Sequence, residues 1–151
     1  MHGHDPSPRP PSEPFARAAP ATAVHLGVLR RALRVWLVAW LSGWPDDDTV
    51  ADLILAMSEA LENAADHAFT GCPAPGTMAV SAEVDDLHVV ITITDDGRWR
   101  PPRPGPGYRR RGLALMGHLV HHYTVHTGTA GTTVVLARHR DRPSRRPASA
   151  G

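Results

Sequence analysis

Residues 53–69 read LILAMSEALENAADHAF, and their apolar side chains recur every three or four positions. This periodicity predicts an amphipathic helix over about residues 48–68. Aspartates at positions 46–48 come just before or at its start, where negative charge favours a helix. Its packed face is expected to hold Leu53, Met57, Ala60 or Leu61, Ala64 and Ala68.

The same helix carries a polar stripe. Glu59, Asn63 and His67 are spaced by four residues, so they project from one side of the helix. Taken alone, the stripe is explained most simply as solvated helix surface. A binding edge is the alternative, and other motifs must support it.

Helix and strand patterns alternate on both sides of this segment. Residues 21–41 predict an earlier amphipathic helix, and 78–84 with 87–93 predict an antiparallel hairpin. A second hairpin is predicted from 123–127 and 132–137, and a short helix precedes it. Because strand–helix–strand units do not repeat, we expect an α+β two-layer sandwich: a mostly antiparallel sheet covered on one face by helices.

The ends of the chain differ in composition from its middle. Residues 1–20 hold six prolines and predict a disordered arm, and residues 138–151 hold five arginines and predict a basic disordered tail. The predicted domain is therefore 21–137. The chain has one cysteine, no apolar leader and no apolar stretch long enough to span a bilayer, which predicts a cytoplasmic protein.

All sixteen basic residues are arginine. Without lysine, a phosphate-loop lysine or a Schiff base is impossible. Phosphate binding would have to use backbone N–H groups, a metal and arginine. The net charge of +1 argues against a dedicated nucleic-acid binder.

Three short motifs could carry chemistry. Asp95-Asp96-Gly97 ends a predicted strand, Arg109 to Leu113 opens a predicted short helix, and Gly131-Thr132-Thr133 begins the last strand. A glycine at a helix start can receive phosphate oxygens. Each motif alone is also compatible with an ordinary turn.

Together these motifs resemble the histidine-kinase-like (GHKL) ATPase superfamily, and most closely its anti-sigma-factor serine/threonine kinase branch. Residues 53–69 resemble the family's asparagine box, 95–99 and 110–116 its glycine boxes, and 131–134 its last box. The resemblance covers about residues 21–137 and implies the Bergerat-type ATP-binding fold.

The resemblance implies a role for each matching residue. Asp95 would bind the adenine amino group, Gly97 would let the backbone approach the ring, and Thr132 would bond adenine directly or through water. Asn63 would ligate Mg²⁺, and Glu59 would be the general base.

The phosphate end of the implied site departs from the family pattern. Gly112 and Leu113 would offer backbone amides to the phosphates. Trp99 and Arg110 stand where the family has glycines, and Gly107, with Gly105, would supply the lost backbone freedom. Nucleotide affinity and turnover depend on this replacement.

The implied activity is an ATP- and Mg²⁺-dependent protein kinase that phosphorylates a small anti-sigma antagonist and regulates an RNA polymerase sigma factor. We expect a homodimer with no direct nucleic-acid or membrane binding. One alternative is a nucleotide-responsive binding module with weak catalysis, and another is a module detached from a larger sensor–phosphatase.

The histidines are a separate question. His118, His121, His122 and His126 lie near the predicted short helix and the strand after it. Surface or packing roles are the default for them, and a zinc site is the alternative.

Overall fold

The computed structural model describes residues 13–39, 46–68, 76–85, 87–97 and 117–139, with the side chains of the second range described up to Asn63. The predicted α+β class is confirmed: two helices lie on one antiparallel sheet. In chain order the elements are β1 (Phe15–Pro20), α1 (Ala23–Val38), α2 (Asp47–Ala68), β2 (Thr77–Val84), β3 (His88–Asp95), β4 (His122–Gly128) and β5 (Gly131–His139).

Both helices begin at side chains that accept backbone hydrogen bonds. Thr22 Oγ1 accepts from the His25 N–H at 3.3 Å at the start of α1. Asp46 Oδ1 accepts from the Thr49 N–H at 2.8 Å at the start of α2. The hydrogen bonds from Thr49 lower the pKa of Asp46, because they favour the charged carboxylate.

The five strands lie in the order β1-β2-β3-β5-β4, and every neighbouring pair is antiparallel. Alternate residues of the central strands point toward the helices and are buried, as the two-residue period of a strand requires. α1 packs on β1 and α2, while α2 packs on β3 and β5. The fully buried side chains between the layers include Leu33, Leu37, Leu53, Met57, Leu61, Met78, Val80, Val89, Ile91, Ile93 and Leu136.

The predicted ends of the domain were wrong in two places. Residues 15–20 lie in β1 rather than in a disordered arm, because they pair with β2 from Phe15 to Pro20. At the other end β5 continues to His139, so Arg138 is a strand residue and not part of a tail. Proline is tolerated at the end of an edge strand such as β1.

The remaining sequence predictions for the elements agree with the structure to within a few residues. Both predicted hairpins form, and residues 117–119 are helical, whereas the start of the predicted short helix lies outside the described residues. Neither helix in the described part of the chain is long and apolar enough to cross a bilayer.

Candidate functional site

Asp95 and Thr132 meet at one end of the sheet. Asp95 is the last residue of β3, Thr132 is the second of β5, and they are paired across the two strands. Ile91 and Ile93 precede Asp95 by even steps and are buried, so Asp95 belongs to the same, helix-covered face. Thr132 lies two residues before the buried Val134 and shares that face.

The Asp95 carboxyl group is half-buried. Loss of solvent raises its pKa, and the neighbouring charge of Asp96 acts in the same direction. The backbone N–H groups of Gly97 and Thr132 oppose this rise; that of Gly97 donates to Oδ1 at 3.0 Å. A carboxylate held in this way keeps lone pairs for an additional donor, such as an exocyclic amino group.

Asp96 has a different contact. Its Oδ1 accepts from the Thr77 N–H at 2.8 Å, and its own N–H donates to the Thr77 carbonyl at 3.2 Å. These two hydrogen bonds fasten the end of β3 to the start of β2. Asp96 therefore fixes the turn, and Asp95 is the aspartate of the pair that belongs to the helix-covered face.

Gly131 is a site residue whose special role the sequence did not reveal. Its φ is +132°, and a Cβ added to it would lie 1.9 Å from the Asp95 carbonyl oxygen. Only glycine allows this close approach of β5 to the end of β3. The sequence alone predicts a turn and a family box at Gly131-Thr132, because the steric requirement arises only from the pairing of two strands far apart in sequence.

The direction of α2 follows from a contact at the opposite end of the sheet. Arg138 of β5 forms an ion pair with Asp52 of α2 and also donates to the Leu119 carbonyl at 3.0 Å. Arg138 is paired with Val89 near the start of β3, six positions before Asp95. The first turns of α2 thus lie at the end of the sheet away from Asp95. Because α2 packs along β3 and β5 and is still buried at Leu61, its later turns extend along these strands toward the end with Asp95.

Glu59 and Asn63 lie seven and eleven residues after Asp52, so each is within about 20° of Asp52 around the axis and all three share one edge of α2. Because Asp52 contacts β5 from this edge, the edge faces the β5 side of the sheet. A different side of α2, about 120° around its axis, packs on α1, where Arg30 Nε donates to Ser58 Oγ at 2.9 Å. The polar stripe predicted from the sequence is therefore the β5-facing edge of the helix.

Eleven helical residues span about 16 Å and six strand residues about 20 Å. Asn63 is thus displaced from Asp52 by nearly the distance that separates Val89 from Asp95. This geometry supports a site bounded by α2 and by the ends of β3 and β5. The predicted site residues Gly107, Gly112 and Leu113 lie outside the described residues.

Four histidines gather at the other end of the sheet. The ring of His139 lies 4.7 Å from that of His88, 5.2 Å from that of His121 and 5.3 Å from that of His122, between ring centroids. The His139 N–H donates to His121 Nδ1 at 2.9 Å. Within the described residues, no three or more potential ligands are arranged to hold a metal ion.

A five-stranded antiparallel sheet covered on one face by helices is the architecture of the histidine kinase-like ATPase domains, a class that binds ATP. Residues 19–138 match the histidine kinase-like ATPase domain family, and the chain belongs to that family.

Two individual relatives indicate which branch of the family this chain resembles. An anti-sigma F factor from Pasteuria penetrans is 38% identical over 53 residues, which is 35% of each chain. The crystal structure of the RsbU and RsbW domains of Rv1364c from Mycobacterium tuberculosis superposes with a TM-score of 0.69 and 29% identity, covering 89% of this chain and 34% of that one. These two matches confirm the predicted resemblance to the anti-sigma branch. In each, the match spans about a third of the other protein's length.

A third match concerns the fold alone. The histidine kinase domain of the blue-light activated kinase EL346 from Erythrobacter litoralis superposes with a TM-score of 0.52 at 24% identity, covering 79% of this chain and 60% of that one.

Proposed function

We propose that this chain is an ATP-binding serine/threonine protein kinase of the anti-sigma type, which phosphorylates a small antagonist protein and regulates a sigma factor. The observation that carries the proposal is the pairing of Asp95 with Thr132 on the helix-covered face, toward which the polar edge of α2 leads. Adenine would bind at the strand ends, and the phosphates would extend along α2.

The adenine end of the site suits a purine. Asp95 would accept a hydrogen bond from the exocyclic amino group, and Thr132 would add a second one. Because Gly131 lacks a side chain, β5 can approach closely enough to hold these two residues together. Gly97 is buried next to them, where a larger side chain would occupy the space of the ring.

The phosphate end would need a cation, since the chain has no lysine. Asn63 is half-buried on the β5-facing edge of α2, and its side-chain oxygen is a ligand type that Mg²⁺ accepts. When bound, Mg²⁺ would neutralise charge on the phosphate oxygens. The backbone amides of Gly112 and Leu113 would hold the phosphates, and Gly107 would give the loop its freedom.

Glu59 lies one helical turn before Asn63 on the same edge. In the proposed reaction its carboxylate takes the proton of the substrate serine hydroxyl. The serine oxygen forms a bond to the γ-phosphorus as the bond to the β-phosphate oxygen breaks, and ADP leaves. The products are phosphoserine, ADP and the proton held by Glu59.

The named relatives supply the biological context of the proposal. One is an anti-sigma F factor, and the other contains an RsbW domain. By analogy with the first, the partners would be a sigma factor and a small antagonist. We further propose a homodimer acting in the cytoplasm.

A phosphorylation assay with matched variants tests the kinase activity. The chain is incubated with radiolabelled ATP, Mg²⁺ and a cognate antagonist, and serine phosphate is measured. We expect Glu59→Gln to slow transfer by about 100-fold or more while nucleotide binding persists, because it removes a general base. Glu62→Gln is the control, since Glu62 is an exposed carboxylate of the same helix that faces Arg30 of α1 rather than the β5 side. Native transfer by Glu59→Gln would exclude the assigned base, and no transfer by the native chain would exclude the kinase.

Trp99 and Arg110 favour one other function, a nucleotide-responsive binding module without useful catalysis. They replace glycines in the family's glycine boxes. This alternative predicts that Glu59→Ala leaves regulation of the partner intact, whereas Asp95→Asn abolishes it. Equal loss of regulation in both variants would count against the module and in favour of the kinase.

A further inference from the structure

The outward face of α1 carries a line of exposed valines. Val24, Val28, Val35 and Val38 expose 75%, 55%, 66% and 37% of their surfaces. Their spacing of four, seven and three residues places them within an arc of about 80° on the helix. We refer to these four residues as the valine stripe.

The valine stripe lies on the side of α1 opposite its packed side. The buried leucines of the helix are Leu26, Leu29, Leu33 and Leu37, and their directions centre about 180° from those of the valines. A surface helix is normally apolar on one side only. Single exposed valines need no explanation, but four within one arc, with Arg31 among them, form an apolar surface of the kind that proteins use for docking.

Two arginines give this surface a positive charge. Arg31 is exposed in the middle of the stripe, between Val28 and Val35, and Arg34 is exposed at its border. No described carboxylate forms an ion pair with either of them. Arg30 is different, because it turns toward α2 and contacts Ser58 and Glu62.

Charge disfavours docking of the valine stripe on itself or on the longer segments of this chain outside the described residues. α1 contains no acidic residue, so a second copy laid along the stripe would bring arginines against arginines. The longer segments outside the described residues are not acidic either. Segments 1–12, 40–45 and 69–75 have no net charge, and segments 98–116 and 140–151 are basic. The complementary surface is apolar and acidic.

We infer that the valine stripe with Arg31 and Arg34 is a docking site for an acidic amphipathic helix of a partner protein. An apolar row on that helix would cover the valines, and carboxylates beside the row would pair with the two arginines. α1 packs against a different side of α2 from the edge with Glu59 and Asn63, and the valine stripe faces away from α1's packed side, so the docking site is separate from the nucleotide site. The inference rests on the proposed function only in expecting a protein partner.

A designed peptide tests this surface with the full chain. The probe is a fluorescent, stapled helical peptide with a leucine row flanked by glutamates, and its counterpart carries lysines in place of the glutamates. Fluorescence anisotropy should show that the glutamate peptide binds the native chain more tightly. The double variant Val28→Ser, Val35→Ser should weaken that binding about tenfold or more, because it removes the centre of the apolar contact. Val125→Ser is the control, since Val125 is 41% exposed on β4, away from α1.

A charge reversal is the second part of the experiment. Arg31→Glu with Arg34→Glu should reverse the preference, so that the lysine peptide binds more tightly. No binding of the glutamate peptide, equal binding by the serine double variant, or an unchanged preference after charge reversal would overturn the inference. Self-association of the native chain that disappears in the serine double variant would also overturn it, because a second copy would then cover the stripe.

This experiment distinguishes a failure of the docking-site proposal from a failure of the proposed nucleotide function. ATP binding by the same protein samples is measured alongside peptide binding. Loss of peptide binding with normal ATP binding would refute the docking site alone. Normal peptide binding by a native chain that does not bind ATP would refute the proposed nucleotide function alone.

Discussion

Asp95 and Asp96 are adjacent in sequence but have different surroundings. Asp96 accepts the Thr77 N–H and joins two strands, so its oxygen is already used within the fold. Asp95 belongs to the helix-covered face, where burial raises its pKa. Among the described residues no cation pairs with Asp95, and a carboxyl group that loses solvent without such a partner is typical of a position that serves a ligand. The two aspartates differ because the side chain of Asp95 belongs to the helix-covered face of the sheet, whereas Asp96 follows the strand and joins it to β2.

At the residue scale, Gly131→Ala should disturb both stability and nucleotide binding. A methyl group would collide with the Asp95 carbonyl, and the positive φ adds strain of about 1–3 kcal/mol. We expect urea denaturation to show at least this loss in the free energy of unfolding, and ATP affinity to fall because β5 moves away from Asp95.

Gly27→Ala is the matched control for this change. Gly27 lies in α1 with nothing within 4 Å of an added Cβ, so alanine should stabilise the protein by about 0.5–1 kcal/mol. If Gly131→Ala were as stable as the native chain and bound ATP normally, the close approach of β5 to β3 would not be required.

At the scale of elements, α2 is fixed at one end, and its other half carries the residues of the proposed site. The ion pair between Asp52 and Arg138 fixes its first turns over β5, and both side chains are partly buried there. Glu59 and Asn63 follow on the same edge, so the direction of the helix determines where they reach. Losing this ion pair should therefore affect the proposed site without any change in the site residues themselves.

The corner formed by β3, β4 and β5 predicts a pH dependence of stability. Burial of the ring lowers the pKa of His139, and the nearby His88, His121 and His122 lower it further. In the unfolded chain this pKa returns to about 6.5, so that the unfolded state binds more protons as the pH falls. Stability should therefore decrease below about pH 6.5. Asp85 contacts His88 and offsets part of the repulsion.

Urea denaturation from pH 8 to pH 5 measures this effect. We expect His139→Gln to lose less stability than the native chain over this range, because the variant has one fewer proton to bind on unfolding. His118→Gln is the control, since His118 is exposed. The titration of Asp95 is common to all three proteins and cancels in the comparison. Identical slopes for the native chain and His139→Gln would contradict the interpretation.

For the whole molecule, the sequence predicted those features that are indicated by a pattern within a single segment. The apolar periodicity of residues 53–69 predicted α2, and the alternation of β-branched residues predicted both hairpins. The family resemblance supplied Asp95, Thr132, Glu59 and Asn63 as site residues. The structure adds that the first two are paired and that the last two share one helix edge.

The features that sequence did not predict depend on contacts between distant segments. β1 is short and rich in alanine, and it is a strand only because it pairs with β2, more than fifty residues later. Nothing in the local sequence indicates that β3 pairs with β5. The steric requirement at Gly131 depends on this pairing, so the sequence does not indicate it either. Arg138 and Asp52 are 86 residues apart, and nothing in either segment indicates the other.

The central claim is that Asn63 and Asp95 serve one Mg²⁺-nucleotide. Calorimetric titration of ATP and ADP, with and without Mg²⁺, tests it most directly on native protein, Asn63→Ala and Asp95→Asn. We predict that Mg²⁺ strengthens ATP binding to the native chain, that Asn63→Ala binds ATP with an affinity independent of Mg²⁺, and that Asp95→Asn binds neither nucleotide. Binding of ATP by Asn63→Ala with the full magnesium dependence of the native chain would contradict the account.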